Sequence, residues 1–264
     1  RLNPLAPATE TRFAANVDGA DIARATAGLD PAETLVIVVS KTFTTLEPLA
    51  NAEAARDWLR AGVGEGFGAH FAAVSTNLEA VSAFGIAPER VFGFWDWVGG
   101  RYSVWSAVSL SCAVALGWET FSAFLAGAAK LDHHFRTAAL AENAPVLLAL
   151  AHVFNRNGLG RPARVVVPYA SRLSRLPAYL QQLEMESNGK GVTSEGDPVS
   201  QPTASVVFGD AGTNTQHAFF QLLHQGTDIV PADIVAVAAS DEGPPGAHAK
   251  LLANAIAQAE ALMV

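Results

Sequence analysis

Leu35-Val36-Ile37-Val38-Val39-Ser40-Lys41-Thr42-Phe43-Thr44-Thr45 is an apolar, β-branched run that empties into a hydroxyl-rich turn, and a helical pattern opens directly after it near Glu47. A short continuous apolar run bounded by turn signals fits a strand buried on both faces, as in parallel sheets covered by helices. The same alternation extends along the chain. Strands are expected at 12–17, 35–39, 70–75, 90–95, 163–168, 205–208 and 233–239, and helices at 47–60, 77–84, 176–188 and 214–225. This is the rhythm of βαβ units around a mainly parallel sheet, an α/β fold. Residues 102–157 depart from it, with three successive helical patterns broken at Gly117-Trp118 and at Glu142-Asn143-Ala144-Pro145. We read this stretch as the passage between two α/β units and expect domains at 1–115 and 116–264. Residues 189–203, rich in Gly, Ser, Pro and charge, form a long connection of the kind that often carries function.

Composition bounds what the chain does. With 264 residues and 50% hydrophobic content it can bury a large core in one domain or two modest ones. A formal net charge of -8, with only 16% charged residues, argues against a general attraction to nucleic acid or an anionic membrane. Any anion must be held locally. Cys112 is the only cysteine, so no intrachain disulfide is possible and a reducing, cytoplasmic setting is expected. No apolar run approaches the roughly 18 to 20 residues of a membrane span, since the richest stretch is interrupted by Arg101, Ser103, Ser106 and Ser109. Arg1-Leu2-Asn3-Pro4 carries no charged and apolar leader pattern and no initiator Met, and the chain stops at Leu262-Met263-Val264 without a polar tail. The expectation is a piece of something longer.

Four places carry chemistry. In the Ser40–Thr45 turn, the free N–H groups and positive dipole end of the following helix favour an anion, and hydroxyls plus one ammonium add donors. The turn sits at the carboxyl end of a strand, where open α/β sheets bind ligands, and a phosphate monoester fits. Thr44 or Thr45 acting only as a helix cap is the simpler alternative. The G-x-x-x-x-G-K-[ST] spacing is absent, which disfavours nucleotide hydrolysis. In Phe94-Trp95-Asp96-Trp97-Val98-Gly99-Gly100-Arg101-Tyr102-Ser103 a strand turns through two glycines into a helix. An arginine there can stabilise a developing oxyanion or simply pair with Asp96.

Glu184-Met185-Glu186-Ser187-Asn188-Gly189-Lys190 ends a helix with carboxylates. The negative dipole end there tends to raise a carboxyl pKa, which suits a general base, although a solvated helix-end glutamate is the ordinary reading of any one of them. Phe208-Gly209-Asp210-Ala211-Gly212-Thr213-Asn214 again reads strand, turn and helix start, and puts His217 in the first turn, where the dipole favours a neutral imidazole. His224 lies seven residues on, not at the i, i+4 spacing of a helical metal pair, and the adjacent His133-His134 are assigned no chemistry. No metal site is expected.

Taken together, Ser40-Lys41-Thr42-Phe43-Thr44-Thr45, Asp96-Trp97-Val98-Gly99-Gly100-Arg101-Tyr102-Ser103, Met185-Glu186-Ser187-Asn188-Gly189-Lys190 and Gly212-Thr213-Asn214-Thr215-Gln216-His217-Ala218-Phe219 resemble the glucose-6-phosphate isomerase family, in its order and at its spacing. The resemblance covers essentially the whole chain. It implies two sugar-isomerase-type αβα sandwich domains with mainly parallel sheets, both incomplete, in a homodimer whose active site is shared between domains and subunits. It implies glucose 6-phosphate and fructose 6-phosphate as substrates, interconverted through an enediolate without metal or redox cofactor. Ser40, Lys41, Thr42 and Thr45 would bind the sugar phosphate. Arg101 with the Gly100 backbone would stabilise the enediolate, Glu186 would move the proton between carbons 2 and 1, and His217 from the neighbouring subunit would assist ring opening.

Leu46, Pro48 and Thr215 depart from the commoner pattern without removing a functional group. The family's other phosphate loop would lie before Arg1, and its C-terminal helix, with a glutamine and a lysine, would lie beyond Val264. The chain alone is therefore expected to be inactive. A non-catalytic sugar-phosphate-binding module and a dual glucose/mannose-phosphate isomerase are the alternatives.

Overall fold

The computed structural model describes residues 9–240 and 242–263. The opening Arg1-Leu2-Asn3-Pro4 and the closing Val264 lie outside the described residues. The chain divides into two compact units, one ending at Gly127 and the other beginning at Ala128.

The first unit is a three-stranded parallel sheet in the order β1-β2-β3. Helix α1 (Gly19–Thr26) precedes β1 (Val36–Val39). Helix α2 (Leu46–Val63) leads to β2 (Phe71–Val74), and α3 (Leu78–Phe84) to the two-residue β3 (Val91–Phe92). Every residue of β2 is buried, as expected of a central parallel strand. Its inward side packs with Val38, Phe43, Ala55, Leu59, Val81 and Ile86 into one core. Among the described residues β1 pairs only with β2. Along its other side runs a groove of about 800 Å³, lined by Phe13, Ile37, Ala52 and Trp58 among others, which does not reach the 40–45 turn.

The strand expected at 12–17 does not form. Alternating Phe13, Ala15 and Val17 mimic a strand, but the Asp21 carboxylate takes the backbone N–H groups of Ala15 and Asn16, at 2.8 and 3.0 Å, in place of a neighbouring strand. Asp18 then caps α1 through the Ala20 N–H. The helix expected after Gly100 is a 3₁₀ turn, Gly100–Trp105, followed by another at Ala107–Ser109. Serine hydroxyls feed nearby carbonyls here, Ser103 to Gly100 and Ser106 to Ser103.

The three helical patterns that follow are α4 (Leu110–Leu116), α5 (Trp118–Thr137) and α6 (Ala144–Val153). The first break is Gly117, with φ +80°. At the second, Asn143 caps α6 by accepting from Val146 N–H and donates to Phe135 O at 2.7 Å.

In the second unit the sheet order is β5-β4-β6, all parallel. β4 (Ala163–Tyr169) is central and almost wholly buried, flanked by β5 (Val206–Phe208) and β6 (Ala232–Ala236). Helix α7 (Leu176–Leu180) runs into a π-helical stretch, Gln181–Glu186. The expected helix 214–225 is broken at Phe219 into α8 (Asn214–Ala218) and α9 (Phe220–Gln225). The last helix, α10 (Ala247–Ala261), seats Ala255 and Leu251 on a core with Val165, Val167, Tyr169 and Phe220. The 189–203 connection has its own fold, a tight turn in which Thr193 N–H bonds Asp197 O at 2.8 Å.

Candidate active site

In the first unit the hydroxyl turn is held by its backbone. Ser40 N–H donates to Val74 O at 3.1 Å, continuing the β1–β2 ladder one residue past the strand. The Lys41 carbonyl accepts from Thr76 N–H, Ser75 Oγ and Thr76 Oγ1, and Asn77 Nδ2 donates to Thr42 O. Phe43 is the pin. Its φ is +52°, a conformation costly for an L-residue, and its ring is 4% exposed and set edge-on to Phe84 in the core.

With the backbone tied down, the side chains of the turn differ in their partners. The Ser40 hydroxyl is buried without a hydrogen-bond partner among the described residues. Thr45 occupies the N-cap of the 18-residue α2 but makes no side-chain cap bond, and Thr44 Oγ1 bonds Thr42 Oγ1 at 2.7 Å. The simple capping alternative is therefore not what these threonines do. A buried hydroxyl without a partner is able to donate to an acceptor brought to it.

Lys41 joins this turn to the glycine-arginine corner. Its ammonium donates to the carbonyls of Asp96 and Val98. Val98 is buried, so the corner is anchored immediately before Gly99 and Gly100. The Arg101 guanidinium carbon lies 5.5 Å from the Tyr102 ring centroid, a cation–π distance. Trp95 and Trp97 stack on each other with centroids 5.5 Å apart and are largely exposed.

In the second unit Glu186 closes the π-helical stretch and is exposed. Gly189 N–H bonds Met185 O at 2.9 Å, and a Cβ on Gly189 would collide with that same oxygen, so only glycine permits this helix end. The stretch is bound to the sheet at several points. Gln181 Nε2 donates to Val207 O at 3.0 Å and Val207 N–H reaches Met185 Sδ at 3.4 Å. Arg164 Nη2 contacts both oxygens of Glu184 at 2.5 Å.

His217 sits, exposed, in the last turn of the short α8 rather than in the first turn of a single helix running to residue 225. What orients α8 is Tyr169 on β4. Its fully buried ring would lie 2.7 Å from a Cβ on Gly212, and its hydroxyl accepts from Gln216 Nε2 at 2.9 Å. His224 instead faces Gln258 of α10, and His134 Nε2 accepts from Ala144 N–H at the start of α6. Among the described residues no cluster of three or more His, Cys, Asp or Glu side chains could hold a metal ion, and no helix is long and apolar enough to cross a membrane.

One polar cluster of the second unit lies outside the residues expected from the sequence. Arg164, 4% exposed at the start of an otherwise apolar strand, bridges Glu184 and the Asp233 carboxylate of β6. His152 Nε2 of α6 lies 3.1 Å from both Arg164 Nη1 and Asp233 Oδ2. Burial pulls the Asp233 carboxyl pKa upward, but the bond with His152 and the Arg164 charge outweigh it, and the net shift is below the ordinary value of 3.8. An arginine inside a β-branched run is the signal that marks this cluster in the sequence, because a buried guanidinium must find carboxylates.

Two parallel sheets with connecting helices, and a hydroxyl-rich turn at the carboxyl end of β1, define the class: an α/β chain built as two sugar-isomerase-type units. A sequence model described as Phosphoglucose isomerase matches residues 1–264, and the chain belongs to that family. It is 66% identical over 264 residues to the glucose-6-phosphate isomerase of Caulobacter sp. strain K31 and 57% identical to that of Xanthobacter autotrophicus. It covers 100% and 99% of its own length in these matches but 49% and 48% of the relatives, so the chain spans about half the length of the curated relatives it matches. The crystal structure of a glucose-6-phosphate isomerase from Chlamydia trachomatis matches with a TM-score of 0.83 at 41% identity, over 94% of this chain and 48% of that one. A hypothetical protein from Thermus thermophilus matches with a TM-score of 0.72 at 29% identity, over 94% and 61%.

Proposed function

We propose that the chain is a segment of a cytoplasmic glucose-6-phosphate isomerase that interconverts glucose 6-phosphate and fructose 6-phosphate in glycolysis and gluconeogenesis. The observation that carries this reading is the 66% identity, from end to end of the chain, to a relative bearing that name. Ser40, Lys41, Thr42 and Thr45 hold the sugar phosphate: the buried Ser40 hydroxyl and the uncapped Thr45 at the N-terminus of α2 supply donors to it. Glu186, presented at the solvent-facing end of a helix, takes the proton from carbon 2 and delivers it to carbon 1. Arg101 with the Gly100 backbone stabilises the negative charge of the enediolate between these steps. His217, contributed by the second subunit of a homodimer, exchanges the proton that opens the sugar ring. The domains of the reading are 1–115 and 116–264.

Since the chain spans about half of its relatives, we expect the 264-residue chain alone to lack full turnover. A coupled assay of fructose 6-phosphate formation, run on this chain and on the full-length protein, tests both points. The expected result is turnover by the full-length protein and none above background by the chain. A full-length protein that binds glucose 6-phosphate without converting it would identify a binding module instead, and conversion of mannose 6-phosphate would widen the substrate range.

A further inference from the structure

We infer that Arg164 is the positioning residue for Glu186, acting through Glu184; the inference rests on the assignment of Glu186 as the proton-transferring base. Glu184 and Glu186 are two residues apart in the π-helical stretch, and side chains at that spacing do not share a face. Glu184 turns inward, its side chain 29% exposed, and Glu186 turns outward to solvent. Whatever fixes the inward carboxylate therefore sets the direction of the outward one.

The fixing group is rigid. Arg164 lies on the central strand β4, its side chain 5% exposed, and its Nη2 meets both Glu184 oxygens at 2.5 Å. With Nη2 on Glu184 and Nη1 on Asp233, the planar guanidinium spans two carboxylates at a fixed separation and angle, which a single lysine ammonium cannot do. Its other arm is held by Asp233 of β6, and His152 of α6 braces both. The guanidinium is thus fixed from two further elements before it grips the helix. π-Helical turns recur at functional sites, and this one is pinned at Gln181, Glu184 and Met185, the residues leading directly to Glu186. A misplacement of about 1 Å in a reacting group costs on the order of 100-fold in rate, so the clamp has a catalytic consequence although it touches no substrate.

The test uses the full-length protein and four variants: Arg164→Met, Arg164→Lys, Glu184→Gln and the Arg164→Met/Glu184→Gln double. The readouts are kcat and KM for glucose 6-phosphate, and the primary isotope effect with substrate deuterated at carbon 2. Arg164→Met and Glu184→Gln should each lower kcat by about 10- to 100-fold, with KM within about twofold and an increased isotope effect, because proton abstraction becomes more fully rate-limiting. The double variant should be no slower than Arg164→Met, since both changes break one unit, and Arg164→Lys should recover part of the loss. A mere loss of folded protein would scale the rate and leave the isotope effect unchanged, and that outcome would overturn the inference. So would a folded Arg164→Met enzyme with kcat within twofold of the parent. If Arg164→Met does not fold, Glu184→Gln, which keeps the side-chain shape, decides by the same criteria. An active Glu186→Gln enzyme would remove the base assignment and this inference with it, whereas an inactive Glu186→Gln beside a fully active Arg164→Met overturns the inference alone.

Discussion

Ser40 shows how a single residue can be read from both ends. In the sequence it is the first of a cluster of hydroxyls after an apolar run, and in the structure its hydroxyl is buried and unpartnered while its backbone extends the sheet. If that hydroxyl donates to the sugar phosphate, its loss removes binding shared by ground and transition states. Ser40→Ala in the full-length protein should then raise KM for glucose 6-phosphate by about 10-fold, the worth of one charge-assisted hydrogen bond, with kcat nearly unchanged. Steady-state kinetics checks this, and a fall in kcat at constant KM would place Ser40 elsewhere in the mechanism. The turn proposed to hold the phosphate stands out in the sequence because its signal is local: hydroxyls, a lysine and a strand end within a few consecutive residues. Glu186 was not legible from its own neighbourhood, where any helix-end glutamate looks alike, and only the resemblance separated it from Glu184. Arg164 stands out in the sequence as a charge inside a β-branched run, but its partners do not. Its partners Asp233 and His152 lie 69 and 12 residues away, and only the parallel pairing of β4 with β6 makes them one cluster.

Elements were legible where a short β-branched run bounded by turn signals had to be buried, as in β1, β2 and β4, because such a run is too short for a helix and packs well on a sheet. They were misread where a local bond substituted for a sheet partner, as at Asp21, or where alanine dilutes the periodicity, as in α10, for which the sequence yields no expectation. The break at Phe219 has its cause in packing, since Phe219 turns edge-on to Phe208 while Phe220 enters the core. The tie between β4 and β6 also makes a pH prediction. The folded-state pKa of Asp233 lies below its ordinary 3.8, so its ionised form contributes stability that is present above the unfolded-state value and lost as pH falls through the lower folded-state value. Urea unfolding should therefore show a stability difference between the parent and Asp233→Asn that is present at about pH 4.5 and shrinks toward about pH 2.5. A difference that stays constant over this range would mean that Asp233 is not held ionised by Arg164 and His152.

At the scale of the molecule, the chain is two parallel-sheet units, and each contributes different chemistry. The first holds the phosphate turn and, through Lys41, the Gly100–Arg101 corner; the second holds the Glu186 helix end and the α8 turn that carries His217. On the proposed function, binding and charge stabilisation would fall to one unit and proton transfer to the other. The most direct test of this account is proton exchange at carbon 2 in the full-length protein. The parent enzyme, equilibrated with glucose 6-phosphate in deuterated water, should place solvent deuterium on the substrate carbons. Glu186→Gln should lose both this exchange and turnover by about 100- to 10,000-fold, the range for a general base. Exchange and turnover that persist in Glu186→Gln within a few-fold of the parent would contradict the account at its centre.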